Sequence, residues 1–192
     1  MASAVFHAVA ALSLGCIFRR STSSSRPPYK YWLAGVVCAV IPDADSIGFA
    51  LGIRYGDMFG HRGFTHSLLF AALLGIGLTW AFFRDASDSP NSTDRLRIAA
   101  YLILATASHG LLDAITNGGL GVAFFSPFDT SRYFFPFHPV EVSPINVARF
   151  LRGRGLEVLA SEAKWIGLPA LALTVCAESA RRVAMRFPRG AA

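Results

Sequence analysis

Residues 61–83 read HRGFTHSLLFAALLGIGLTWAFF. From Phe64 to Phe83 this run contains no Asp, Glu, Lys or Arg, and a helix needs ~20 mostly apolar residues to cross a bilayer. The stretch therefore predicts a membrane-spanning helix, entered through a glycine-bounded turn that carries His61 and His66. A second run of the same kind extends from Ile98 to about Asn117. Three weaker candidates accompany them: Ala4 to Phe18, which is short; Trp32 to Ile53, which Pro42 and two aspartates interrupt; and Trp165 to about Ala180. The expected fold is all-α, an integral membrane bundle of four to five helices with at least one broken, formed by residues 1–192 as a single domain. A cleaved signal peptide is a weaker account of residues 1–18, because no Lys or Arg precedes the apolar run and Arg19 and Arg20 follow it.

Composition agrees with a membrane as solvent. The chain is 53% hydrophobic and 16% charged, with a mean hydropathy of +0.45. Its net charge of +6 comes from short basic clusters between apolar runs, a pattern of topology determinants rather than of a nucleic-acid-binding face. No nucleic-acid partner is expected. Cys16, Cys38 and Cys176 stand singly in apolar segments, which suggests neither a disulfide framework nor a thiolate metal site.

Lys and Arg favour the cytoplasmic side of short loops. With five spans and an outer N-terminus, the inner segments collect Arg19, Arg20, Arg26, Lys30, Arg84, Arg95, Arg97, Arg181, Arg182, Arg186 and Arg189, eleven of the eighteen basic residues. The stretch from Gly118 to Lys164 then becomes a long extracytoplasmic loop. The same orientation sends the ionisable residues of the apolar stretches to one side: His7, Asp43, Asp45, His61, His66, His109 and Asp113, with His138 and Glu141 in the loop. The charge count did not require this convergence, and intramembrane ionisable groups mark function by default.

Imidazoles and carboxylates together suit a hard or borderline divalent metal. His109 and Asp113, four apart on a helix, share one face. Gly60 and Gly63 allow the turn between His61 and His66 to fold both rings toward one cavity. Asp43 and Asp45 follow a helix-breaking proline, where one carboxylate can ligate while the other orients a histidine. Arg62 is placed to clamp a phosphate or other oxyanion. His138 and Glu141, flanking Pro139 in an aromatic stretch suited to a membrane interface, are secondary candidates.

The ordered set of an N-terminal histidine, PDADSI, HRGFTHSL and HGLLDAIT resembles the YdjM-type inner-membrane proteins, described as metal-dependent hydrolases. The resemblance runs over most of the first 145 residues. Where that family's PDxD commonly continues with a histidine, this chain has Ser46. The resemblance implies a multi-pass protein of the bacterial inner membrane that holds one or two divalent ions, zinc first and manganese or magnesium as alternatives. The expected ligands are His7, Asp43, Asp45, His61, His66, His109 and Asp113. Asp45 would serve as general base and Arg62 as transition-state stabiliser. The expected substrate is a lipid or lipid-linked phosphoester, with a carboxylic ester or amide second. The alternative is a divalent-metal transporter or a metal-stabilised membrane scaffold.

Overall fold

The computed structural model describes residues 1–19, 29–83, 92–145 and 147–186. Arg20, Arg26, Arg84 and Arg189, used above in the charge count, lie outside them. Among the described residues the protein is helical without a strand; Thr116 with Val140 and Val122 with Tyr133 form only isolated bridges. The helices are α1 (Ala4–Phe18), α2 (Tyr29–Val40), α3 (Leu68–Phe83), α4 (Ser92–Ala114), α5 (Val147–Arg152), α6 (Gly155–Glu162) and α7 (Leu168–Arg186). A 3₁₀ helix, Ile41–Leu51, continues α2, and a π turn, Ala163–Gly167, joins α6 to α7.

Two helical rods are long and apolar enough to cross a membrane, Tyr29–Leu51 and Gly155–Arg186; Ala4–Phe18 and Leu68–Phe83 are shorter apolar helices. This ordering differs from the sequence expectation. The run from Phe64 loses its first four residues to a 3₁₀ turn and a cap, because Ser67 Oγ accepts the Phe70 N–H at 3.1 Å and starts α3 at Leu68. The stretch broken by Pro42 does not stop being helical. A proline at the start of a helical segment loses no hydrogen bond that it needs, so the rod tightens from α to 3₁₀ and goes on.

Helix α1 lies at the centre of the bundle, against α2, α4 and α7, while α3 packs mainly on α4. Lipid tails are as apolar as leucine, so such helices associate through close approach and polar bonds rather than through the hydrophobic effect. Small residues permit that approach. Gly35 faces Tyr101, whose hydroxyl lies 1.7 Å from where a Cβ would be built, and a Cβ on Gly75 would meet the Ile103 backbone at 2.6 Å. Tyr31 stacks on Tyr101 with ring centroids 4.5 Å apart and donates its hydroxyl to the Gly15 carbonyl at 2.9 Å. Leu73, Ile76, Trp80 and Phe82 of α3 and Leu171 and Val175 of α7 remain exposed, as expected of flanks that face lipid.

Successive helices run in opposite directions. The beginnings of α1 and α3 therefore meet the ends of α2 and α4 at one end of the bundle, where the functional residues gather. At the other end Arg181 bonds Glu178 at 2.6 Å and the Cys16 carbonyl, tying α7 to the close of α1.

The α3–α4 contact makes a direct test. Gly75→Ala lowers the thermal midpoint in detergent by forcing α3 off Ile103, an overpacking cost of about 1–3 kcal/mol. Gly77→Ala, two residues on with nothing within 4 Å, leaves it unchanged or raises it. Equal midpoints for the two variants would show that α3 does not pack on α4 through Gly75.

Candidate metal centre

The 3₁₀ period decides where the aspartates point. At three residues per turn, Ile41, Ala44, Ile47 and Ala50 share one face, and all four are exposed. The other two faces carry Asp43 and Asp45, whose side chains are directed into the bundle. In an α-helix two residues two apart diverge by about 200°, and both carboxylates could not face one site.

Asp45 is saturated. Its Oδ1 is 2.7 Å from His61 Nδ1; its Oδ2 accepts the Thr65 hydroxyl at 2.7 Å and the Arg62 N–H at 3.2 Å, and lies 3.2 Å from His66 Nδ1. One carboxylate thereby fixes the ring orientation of two histidines and the backbone between them. Thr65, in the turn between His61 and His66, spends its hydroxyl on this carboxylate.

His109, in the last turns of α4, is oriented by backbone: its Nδ1 is 2.6 Å from the carbonyl of Ala39, near the end of α2. A carbonyl only accepts, so Nδ1 carries the proton and Nε2 presents a lone pair. His66 is held the same way by Asp45. The two Nε2 atoms then confront each other at 3.0 Å, and two lone pairs at that distance repel unless a cation lies between them.

Two carboxylates converge on the same point. Asp43 Oδ1 is 3.3 Å from His109 Nε2 and 3.7 Å from His66 Nε2, and Asp113 Oδ2 is 3.7 Å from His66 Nε2. Asp43, His66, His109 and Asp113 each offer a ligand atom, all within 4.8 Å of one another. Donors around a tetrahedral ion with bonds of ~2.0–2.2 Å sit ~3.3–3.6 Å apart. The observed separations bracket that value. A proton between the histidines would relieve their repulsion but would leave Asp43, both of whose oxygens are buried without a hydrogen-bond partner, uncompensated. The donor set fits a divalent metal ion.

The remaining residues surround this quartet. His7, on α1, stacks on His109 with centroids 3.7 Å apart, and its Nε2 lies 3.4 Å from Asp113 Oδ1. Asp113 Oδ1 also accepts the Ala2 N–H at 2.7 Å. His61 sits beside His66, and its Nε2 is buried with no hydrogen-bond partner. Asp45, His61 and His66 form a second group with metal-ligand spacing, although Asp45's four partners leave it little capacity. Arg62 is fully buried and adopts φ 63°, a conformation that side chains other than glycine and asparagine resist. Its Nε pairs with Asp113 Oδ2 at 2.9 Å, and its other nitrogens donate to the Gly118 carbonyl at 2.8 Å and the Thr116 hydroxyl at 3.0 Å. The guanidinium is committed to holding Asp113.

His138 and Glu141 are not brought to this cluster. His138 packs edge-on against Phe134, and Glu141 pairs with Arg154 at 2.7 Å near the surface. Sequence reasoning missed Arg132, which donates to the His61 carbonyl at 2.9 Å and to the Tyr55 and Asp57 carbonyls at 2.9 and 3.2 Å. Arg132 clamps the turn that carries His61, and its cation lies 5.6 Å from the Tyr55 ring centroid. Burial raises the Tyr55 phenol above its ordinary range, so it remains a neutral wall beside the His61 ring, 5.2 Å away edge to face. Backbone acceptors carry no residue-type signal, and nothing in the sequence around Arg132 pointed to this clamp.

Sequence comparison decides the family. A model described as YdjM inner membrane protein matches residues 1–185. The chain belongs to the YdjM family of inner membrane proteins. It is 35% identical over 178 residues to inner membrane protein YbcI of Escherichia coli (strain K12), across 90% of this chain and 95% of that protein. It is 34% identical over 98 residues to the uncharacterized protein YvsG of Bacillus subtilis (strain 168), across 47% of this chain and 54% of that protein. No solved structure matches the fold. The match to the family model covers every element that contributes to the cluster.

Two variants separate the cluster from its surroundings. Arg62→Ala strands the Asp113 carboxylate and lowers stability by about 3–5 kcal/mol, read as a fall in thermal midpoint. Replacing both His138 and Glu141 by alanine leaves metal content, measured by elemental analysis, at the wild-type level. Loss of metal from the latter variant would extend the centre into the loop.

Proposed function

We propose that this protein is a membrane-bound metal-dependent hydrolase whose ion, zinc first and manganese or magnesium as alternatives, is held by Asp43, His66, His109 and Asp113. The observation that carries the reading is the pair of lone-pair nitrogens of His66 and His109 at 3.0 Å, with two carboxylate oxygens converging on them. When bound there, such an ion would supply Lewis-acid chemistry, lowering the pKa of a coordinated water toward ~7 and polarising a scissile ester.

The chain's own residues supply the rest. Asp45 orients His61 and His66 and stands outside the metal's ligand sphere, which favours His61 over Asp45 as the proton acceptor: His61 donates through Nδ1 to Asp45 and keeps a free, buried Nε2. Arg62 balances the charge of Asp113 and holds it in place, a role that leaves its guanidinium no free donor pair for a substrate oxyanion. His7 covers one face of His109 and excludes water there. Among these residues Asp43 has the most exposed side chain, at 11% against 0–2% for the others, with its two oxygens turned inward, which makes its side the one from which water and substrate would approach the ion. In the five-span orientation read from the basic residues the cluster would lie toward the extracytoplasmic face, and a site near the headgroups suits a lipid or lipid-linked phosphoester, with a carboxylic ester or amide second.

One observation favours a second reading. Four protein donors close a tetrahedral site, as in structural zinc centres, whereas catalytic sites keep a position open. The donors also come from the α2–3₁₀ rod, the turn before α3, and α4, which an ion would tie together as a scaffold. Metal removal distinguishes the two. In the hydrolase, prolonged chelation abolishes phosphoester cleavage while the thermal midpoint falls modestly, and zinc restores activity. In the scaffold, chelation unfolds the bundle.

Purified wild type is expected to retain about one ion per chain, lost in His66→Ala/His109→Ala. Asp45→Asn retains the ion with affinity lowered ~10–100-fold, the usual effect of removing a partner that orients a ligand. A folded wild type with no bound metal would defeat both readings.

A further inference from the structure

Access to the cluster runs past Asp43, and the surroundings of Asp43 have a definite character. The 12 residues of α2 and the 11 residues of the 3₁₀ helix form one rod of roughly 40 Å, from rises of ~1.5 and ~2.0 Å per residue. Asp43 stands about 24 Å along it on the same rises, inside the far boundary of a hydrocarbon layer ~30 Å thick. Along the outer side runs an unbroken apolar stripe: Leu33 and Val37 on α2, Ile41 at the junction, then Ala44, Ile47 and Ala50 on the 3₁₀ face. Leu33 is 56% exposed and Ile47 66%. The spacing changes from four residues to three as the helix changes type, so the stripe stays on one side of the rod. The flank alone does not require the 3₁₀ geometry, since Ala44 follows Val37 by seven residues and Ile47 follows Leu33 by fourteen, and an α-helix would also keep them near it. Prolonging α2 as an α-helix would instead take Asp43 or Asp45 off the site.

We infer that the cluster opens sideways, past Asp43, into the outer edge of the hydrocarbon layer just below the headgroups, and that its substrate is an amphiphile whose acyl chains lie along the Leu33–Ala44 part of the stripe while its phosphoester head reaches the ion. This rests on the hydrolase reading for the fate of the head group, but the position of the opening is a property of the fold alone. Away from Asp43 the residues around the cluster are buried: His7, His109, Arg62, Asp113 and Thr116 fully, and His61 to within 1%. The stripe continues the lipid-facing flank of a rod long and apolar enough to cross the membrane, so its neighbour is lipid. A soluble phosphoester would have to cross that lipid to reach Asp43.

The test uses full-length protein in liposomes, with Cys16→Ala and Cys176→Ala to leave only buried Cys38. Nitroxides are placed in turn at Leu33→Cys, Ala44→Cys and Ile47→Cys, with Asp129→Cys in the exposed loop as the aqueous reference, and collision rates with oxygen and with a water-soluble nickel chelate are measured. Ala44 is expected to resemble Leu33, with the oxygen-to-nickel ratio several-fold above that at Asp129, and Ile47, about 32 Å along the rod on the same rises, is expected to fall between the two. In parallel, unlabelled protein is irradiated in vesicles containing phosphatidic acid with a diazirine in its acyl chain, and adducts are mapped by mass spectrometry. Adducts within residues 41–51 are expected. Nickel access at Ala44 equal to that at Asp129 would overturn the lateral opening, as would adducts confined to α3 and α7. Neither readout needs bound metal or turnover; the metal content of the same preparation tests the hydrolase reading separately.

Discussion

The confrontation of His66 Nε2 with His109 Nε2 is the constraint on which the site end of this molecule depends. Neither ring is free to turn away. Asp45 holds the Nδ1 of one and the Ala39 carbonyl that of the other, so both lone pairs are aimed at one point before any ion arrives. In a medium of low dielectric this arrangement is costly without a cation, and two buried carboxylates would be more so. Arg62 offsets part of that cost by pairing with Asp113, and a divalent ion, which the donor set fits, would offset the rest. Preorganisation of this kind favours tight binding, because little conformational freedom remains to be lost.

The constraint reaches outward through backbone as much as through side chains. Arg62 sits at φ 63° because its N–H must reach Asp45 while its side chain turns back to Asp113, and its carbonyl accepts the Ala123 N–H at 3.0 Å. Arg132 holds the carbonyls of Tyr55, Asp57 and His61 together. Ser3 bonds the fully buried Glu162 at 2.6 Å through its hydroxyl and again through its N–H, just before the π turn that leads into α7. The start of α1, which carries His7, is thus tied both to α4 through Asp113 and to the α6–α7 rod through Glu162. A shift of any one of these segments moves a ligand.

The sequence showed much of this in residue type and less in geometry. His109 and Asp113 share a helix face, as spacing by four dictates, and the glycine-bounded turn does carry His61 and His66 to one place. The helical architecture followed from long apolar runs. Which runs were long enough did not, since a serine cap and a 3₁₀ turn shortened the one from Phe64, while Pro42 altered its helix without ending it. Alternation of Asp43 and Asp45 could be read as two carboxylates near one site, but dividing them into one facing the histidine nitrogens and one orienting the rings needs a period of three, which hydropathy does not display. The committed guanidinium of Arg62 was hidden for a related reason. An arginine beside histidines has the same sequence whether it faces a substrate or a buried aspartate.

The same change of period bears on how a charge-dense cluster is housed in a membrane protein. A metal site on an α-helix presents its ligands at intervals of three and four, and the residues between them face elsewhere. The 3₁₀ rod keeps one whole face apolar over Ile41, Ala44, Ile47 and Ala50 while its other two faces carry the carboxylates inward. The exposed apolar residues and the candidate metal ligands then occupy different faces of the same eleven residues, and neither compromises the other. Long 3₁₀ runs are uncommon because their hydrogen bonds are poorly aligned. Here the strain is offset by what the geometry makes possible: a polar, charge-dense centre separated from lipid by the thickness of a single helix, with Asp43 at the seam between them.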